Sequence, residues 1–195
     1  MKNGLFILLG FILLISCKKD DNETEEPPDQ THPKMFYRNL GDIEVKFGQI
    51  KYLDIDNDGV RDFYFNVQLV GDPVLQRDRI QYLANSLQQR YLLNDAQDQS
   101  PVLNKLDPIS KTYEGYTWYE ISSILLAEKI VTFNGNFWEG LWKDADHKFL
   151  PVQVKKNREL YHGWIELSFD KGKELLILHR SGISTEEDKE VKAGY

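Results

Sequence analysis

The chain has 195 residues, a formal net charge of −7 and a single cysteine. An acidic chain lacks the basic footprint that a phosphate backbone demands, which argues against a nucleic-acid partner. One cysteine also excludes an intramolecular disulfide, so stability has to come from packing or from a bound metal.

The N-terminus opens with Lys2 and an apolar run from Leu5 to Ile15. Spanning a bilayer takes about 20 apolar residues, so this run is too short to remain as an anchor. A charged head, a short apolar stretch and a small residue before the cut form a secretory signal peptide over residues 1–16. Leu14-Ile15-Ser16-Cys17 resembles the lipobox of bacterial lipoproteins. That resemblance implies an acylated Cys17 as the new N-terminus and attachment to the membrane through lipid, with several acyl chains making the attachment durable.

Residues 17–34 then read as an acidic tether: Lys18-Lys19-Asp20-Asp21 leads into Asn22 to Asp29 with almost no apolar groups. Such a segment buries too little surface to offset its ordering entropy, and charge repulsion with Pro27-Pro28 extends it. A lysine and two acids just behind the cysteine resemble the export signal of surface lipoproteins in one branch of Gram-negative bacteria. The implied place is the outer membrane facing the exterior, with the periplasmic face as the alternative.

Residues 35–195 are of a size usual for one domain with a substantial core, and they read mostly as strands. Ile43, Val45 and Phe47 alternate, as do Phe63, Phe65 and Val67. Val152 with Val154, the run Tyr161 to Phe169, and Leu175 to Leu178 add further short segments bounded by turn formers. Lys171-Gly172 suggests a hairpin between the last two. Ile80, Leu83, Ala84, Leu87 and Tyr91 follow helical spacing, although Ile80, Tyr82 and Ala84 also alternate; a short helix is expected there. The fold class is all-β, mostly antiparallel, as a single jelly-roll-like sandwich with at most one or two short helices.

The most specific motif is Asp54-Ile55-Asp56-Asn57-Asp58-Gly59-Val60-Arg61-Asp62. Calcium takes six to eight oxygens, and alternating aspartates can curl around one point while Gly59 allows a sharp turn. Asp54, Asp56 and Asp58 supply carboxylates, Val60 its carbonyl, and Asp62 closes the set directly or through water. An EF-hand would carry a bidentate glutamate at the twelfth position, which here is Phe65, and the flanks read as strands. The loop is therefore similar to the strand-loop-strand calcium sites of extracellular repeats, with calcium in a structural role. The alternative is a plain turn, which Asp, Asn and Gly favour anyway.

Trp118, Trp138 and Trp142 sit in aromatic-rich segments and are candidate ligand-contacting residues, because exposed rings with polar rims bind sugars and proteins. Core packing competes with that role. Catalytic signatures are absent: the histidines show no metal-protease spacing, and there is no nucleophile elbow or phosphate loop. Asp144, Asp146 and His147 suggest at most a minor metal turn, and a Glu120–Glu166 pair would need the fold to unite it.

The C-terminal stretch, His162-Gly163-Trp164-Ile165-Glu166-Leu167-Ser168, Leu176 to His179 and Val191-Lys192-Ala193-Gly194, is similar to the ending of many exported bacterial β-sandwich proteins. That resemblance implies the sandwich and supplies no catalytic residues. The expected function is a lipid-anchored, surface-exposed binding or structural module, with a glycan or an envelope protein as partner. A polysaccharide-directed hydrolase or a glycan-binding accessory domain is the alternative.

Overall fold

The computed structural model of the protein describes residues 32–195. The segment read as a signal peptide, Cys17 and nearly all of the segment read as a tether lie outside the described residues. Within them the chain forms strands and turns with no helix. Two antiparallel sheets pack face to face. One contains, in spatial order, β1 (Met35–Val45), β12 (Leu175–Ser184), β11 (Glu159–Asp170), β10 (Lys148–Lys156), β5 (Arg90–Asn94) and β7 (Thr117–Glu120). The other runs β2 (Ile50–Leu53), β3 (Phe63–Asp72), β4 (Arg77–Ser86), β8 (Ser123–Thr132) and β9 (Gly135–Glu139). Two short strands, β6 (Pro108–Ile109) and β13 (Val191–Lys192), pair separately. The architecture is thus the antiparallel β-sandwich that the alternating pattern predicts.

Period-two alternation decides which face each strand buries. Phe63, Phe65 and Val67 of β3 point inward, opposite Val152, Val154, Ile165, Leu167 and Leu178 of the six-stranded sheet, in one continuous core. Phe47 breaks the expected alternation: β1 ends at Val45, and Phe47 falls in the turn to β2, where it is 61% exposed.

The helix expected across residues 80–91 is a strand. β4 is flanked by β3 and β8 and pairs with both along its length, so Tyr82 and Ala84 enter the core on the alternating pattern. Helical spacing lost because two neighbouring strands satisfy the backbone here, which an isolated helix could not outdo. The chain then crosses between sheets at Leu87 to Gln89, and Tyr91 belongs to the next strand, β5.

The six-stranded sheet has a second covered face. Trp164 and Phe149 project away from the main core and are capped by Leu103, Ile109, Val191 and Ala193. Residues 32–34 join in here: His32 stacks on Tyr195 at 3.6 Å between ring centroids, and the Lys34 N–H donates to Glu186 at 2.8 Å. Packing therefore begins before residue 35.

Next to this second core lies a buried histidine. His162 Nδ1 lies 2.8 Å from the Lys189 carbonyl, so it carries the proton, and its Nε2, 3.0 Å from Gln153 Nε2, accepts. Burial lowers its pKa from the ordinary 6.5, only partly opposed by the Lys189 carbonyl. The unfolded chain therefore binds this proton more readily than the folded one. Stability should fall as pH drops below about 6.5, until the folded-state pKa is also passed. Urea unfolding between pH 7.5 and 5 checks this, and the His162→Gln variant should lose that component of the slope.

Candidate functional site

The aspartate loop joins β2 to β3. Its backbone curls because the carboxylates cap its own amides: the Gly59 N–H donates to Asp54 Oδ2 at 2.9 Å and the Val60 N–H to Asp58 Oδ1 at 2.8 Å. Asn57 and Gly59 adopt φ of 58° and 85°, the left-handed region that Gly and Asn tolerate best. The result gathers Asp54, Asp56 and Asp58, each offering an oxygen within 4.8 Å of the others. This triad could hold a metal ion. It is the only such trio of Asp, Glu, His or Cys among the described residues.

The ninth position behaves differently. Asp62 is fully buried; its Oδ2 accepts from the Ile55 N–H at 2.6 Å and its Oδ1 from Arg90 Nε at 2.5 Å. Both oxygens are therefore occupied by internal partners. Burial raises this carboxyl to about 6 despite Arg90 beside it. Val60 is 55% exposed and contributes its N–H to the turn.

Positive charge already balances part of the loop. Lys156 of β10 reaches across from the other sheet, its Nζ 2.5 Å from Asp56 Oδ2 and 3.3 Å from Asp58 Oδ2. Arg90 Nη2 lies 3.9 Å from Asp58 Oδ2, and Arg38 donates to the Asp54 carbonyl. Burial pushes the Asp58 carboxyl up, but the Val60 N–H, Lys156 and Arg90 outweigh it and the net shift is downward. Lys156 is likewise raised, its two aspartates overcoming the cost of burial.

The three tryptophans do not share a surface. Trp142 is fully buried and its indole N–H donates to the Ser100 carbonyl at 3.1 Å, which removes its ring from any surface ligand. Trp138 packs on the main core against Tyr82 and Phe169. Trp118 packs on the second core and donates to the Ser110 carbonyl at 3.1 Å.

The Glu120–Glu166 pair is not assembled. Glu120 is on β7 and Glu166 on β11, with β10 and β5 between them. Three strand spacings of about 4.8 Å put roughly 14 Å between them across the sheet alone. Glu120 stands in register with His162 through Tyr91 and Gln153, so Glu166 is also four residues further along β11. The pair is therefore beyond the separations that glycosidic carboxylates use. Asp144 pairs with Lys171 and Lys143, and the ligand atoms of Asp144, Asp146 and His147 do not converge as those of the aspartate loop do among the described residues.

A polar cluster that no local spacing announced lies on the outward side of β11, β12 and β1. Ser168 Oγ lies 2.8 Å from His179 Nε2, and His179 Nδ1 lies 2.6 Å from Asp42 Oδ1. The His147 N–H donates to Ser168 Oγ at 2.8 Å. The His147 ring stacks on His179 at 4.2 Å between centroids, while its Nδ1 lies 2.7 Å from Glu166 Oε1. Arg180 binds the other oxygen of Glu166.

No protein-family model, curated protein or solved structure matches this chain.

Proposed function

We propose that the chain is a lipid-anchored lipoprotein of the bacterial outer membrane, displayed to the exterior, whose β-sandwich is stabilised by calcium and serves as a binding or structural module. The convergence of Asp54, Asp56 and Asp58 on one point carries the reading. Several hard carboxylate oxygens from one loop suit calcium better than magnesium, which prefers few protein ligands and keeps several waters. Lys156 supports a structural role: it ties this loop to the opposite sheet, so whatever neutralises the aspartates also steadies the sandwich. A glycan or an envelope protein is the partner class, and the anchor is Cys17.

Thermal unfolding after chelation tests the metal. Calcium at 100 times its Kd should add about 2.7 kcal/mol, roughly 5–11 °C for a chain of this size, and Asp54→Asn with Asp58→Asn should abolish the gain. Lys156→Met should lower the melting temperature in chelator and enlarge the calcium-induced rise, because the lysine then no longer competes for the carboxylates. No shift with calcium in either background would leave the loop a turn held by its own amides and by Lys156, Arg90 and Arg38. Binding to a glycan array with and without calcium separates a glycan partner from a protein one.

A further inference from the structure

We infer that Ser168, His179 and Asp42 form a nucleophilic relay that hydrolyses short acyl esters of polar alcohols. The three residues come from three neighbouring strands of one sheet, β11, β12 and β1. His179 bridges the other two through opposite ring nitrogens, with Nε2 on the hydroxyl and Nδ1 on the carboxylate. The hydrogen-bond polarity is set by Asp42, whose carboxylate can only accept and so places the ring proton on Nδ1. Neutral His179 then offers its Nε2 lone pair to the Ser168 hydroxyl, while one Oγ lone pair accepts from the His147 backbone N–H. With Asp42 accepting from Nδ1–H, the imidazole is held as the tautomer whose Nε2 lone pair faces the serine. This is the order of roles that activates a hydroxyl nucleophile, and it is recognised by geometry whatever the chain order.

The surroundings favour a polar, compact substrate. Ser168 and His179 line an open depression of about 550 Å³ whose rim carries Lys143, Asp144, His147 and Lys171. A charged, open rim suits an acetylated sugar or similar carrier and offers no slot for a long acyl chain. His147, with a side chain 61% exposed and braced by Glu166, is the rim residue placed to donate to a developing oxyanion. It reaches this position at φ 48°, a left-handed conformation.

In the first step Ser168 Oγ bonds to the ester carbonyl carbon while its proton passes to His179 Nε2. The carbon–oxygen bond to the alcohol then breaks, and the alcohol leaves with that proton. Water attacks the acyl-serine, again giving a proton to His179, and the acid departs as the proton returns to Ser168. Ester and water thus become acid and alcohol with no other reactant.

The test uses the folded chain with a fluorophosphonate probe and with p-nitrophenyl acetate and p-nitrophenyl decanoate. A single adduct mapped to Ser168 is expected, together with acetate-ester turnover well above that of the decanoate. Ser168→Ala should eliminate the adduct, and His179→Gln should slow hydrolysis by about 10²–10⁴-fold, the range of a lost general base. His179 is mostly buried, so Asp42→Asn is the cleaner variant: the Asp42 side chain is 74% exposed, its loss leaves the core intact, and acylation should still fall at least tenfold. Absence of a Ser168 adduct in the parent chain, or hydrolysis by Ser168→Ala at the parent rate, overturns the assignment. An unchanged rate in Asp42→Asn overturns the relay.

Discussion

Replacing Arg90 by methionine is expected to destabilise the protein by about 3–5 kcal/mol, the usual consequence of leaving one member of a buried ion pair alone. Asp62 is fully buried and Arg90 nearly so. Arg90 Nε is the side-chain donor to Asp62 Oδ1, the other oxygen being taken by the Ile55 N–H. The pair does more than cancel charge. The Asp62 N–H donates to the Leu53 carbonyl and the Leu87 N–H to the Asp62 carbonyl, so the aspartate fastens the end of β2 and the crossover to β5 at one point. With a total stability of 5–15 kcal/mol typical for a domain, this loss should lower the melting temperature by roughly 6–20 °C. The double variant Arg90→Met, Asp62→Leu should recover most of it, since a shape-matched apolar pair removes the uncompensated charge. Denaturant titration of the three chains decides the matter; a cost below 1 kcal/mol in the single variant would mean that water reaches Asp62 and no buried charge is left behind.

That prediction also shows where sequence reasoning stops. Asp54, Asp56 and Asp58 were legible because a metal trio within five residues is a local property, set by turn chemistry and alternation. Asp62 looked like a fourth member of the same set, but its direction depends on Arg90, which lies 28 positions further on. The sandwich was legible from period-two runs such as Phe63-Phe65-Val67, because each run carries its own inward face. Residues 80–91 fit both periods, and only pairing of β4 with β3 and β8 breaks the tie in favour of the strand. Ser168, His179 and Asp42 had no signal at all: Asp42 and His179 are 137 residues apart, and they meet because the first and penultimate strands pair, with a register shift between Asn39 and Ile43 beside Asp42. A spacing rule has no access to a contact of that kind.

Trp164→Ala is expected to cost about 3–5 kcal/mol, as for other large core truncations, and to loosen the C-terminal cap specifically. Trp164 is fully buried on the outward face of β11 and meets Phe149 edge-on, with ring centroids 5.3 Å apart. Its neighbours are glycines for a steric reason. A Cβ on Gly182 would lie 2.6 Å from Trp164 Cζ2, and a Cβ on Gly163 would lie 2.5 Å from the Gly182 carbonyl. At the chain end, Gly194 has φ +68° and a Cβ there would fall 2.3 Å from Phe149 Cζ. The Gly-Trp-Ile strand and the terminal Ala-Gly are therefore two halves of one packing arrangement: the tryptophan fills the space the glycines leave, and β13 with Ala193 closes over it. Removing the ring empties that space while the main core, formed by Ile165 and Leu167 on the opposite side of the same strand, stays filled. Amide exchange should consequently rise first in β6, β13 and residues 185–195, ahead of β3 and β4, whereas Ile165→Ala should loosen both sheets together. Uniform acceleration in the Trp164 variant would mean that the second core does not open independently of the first.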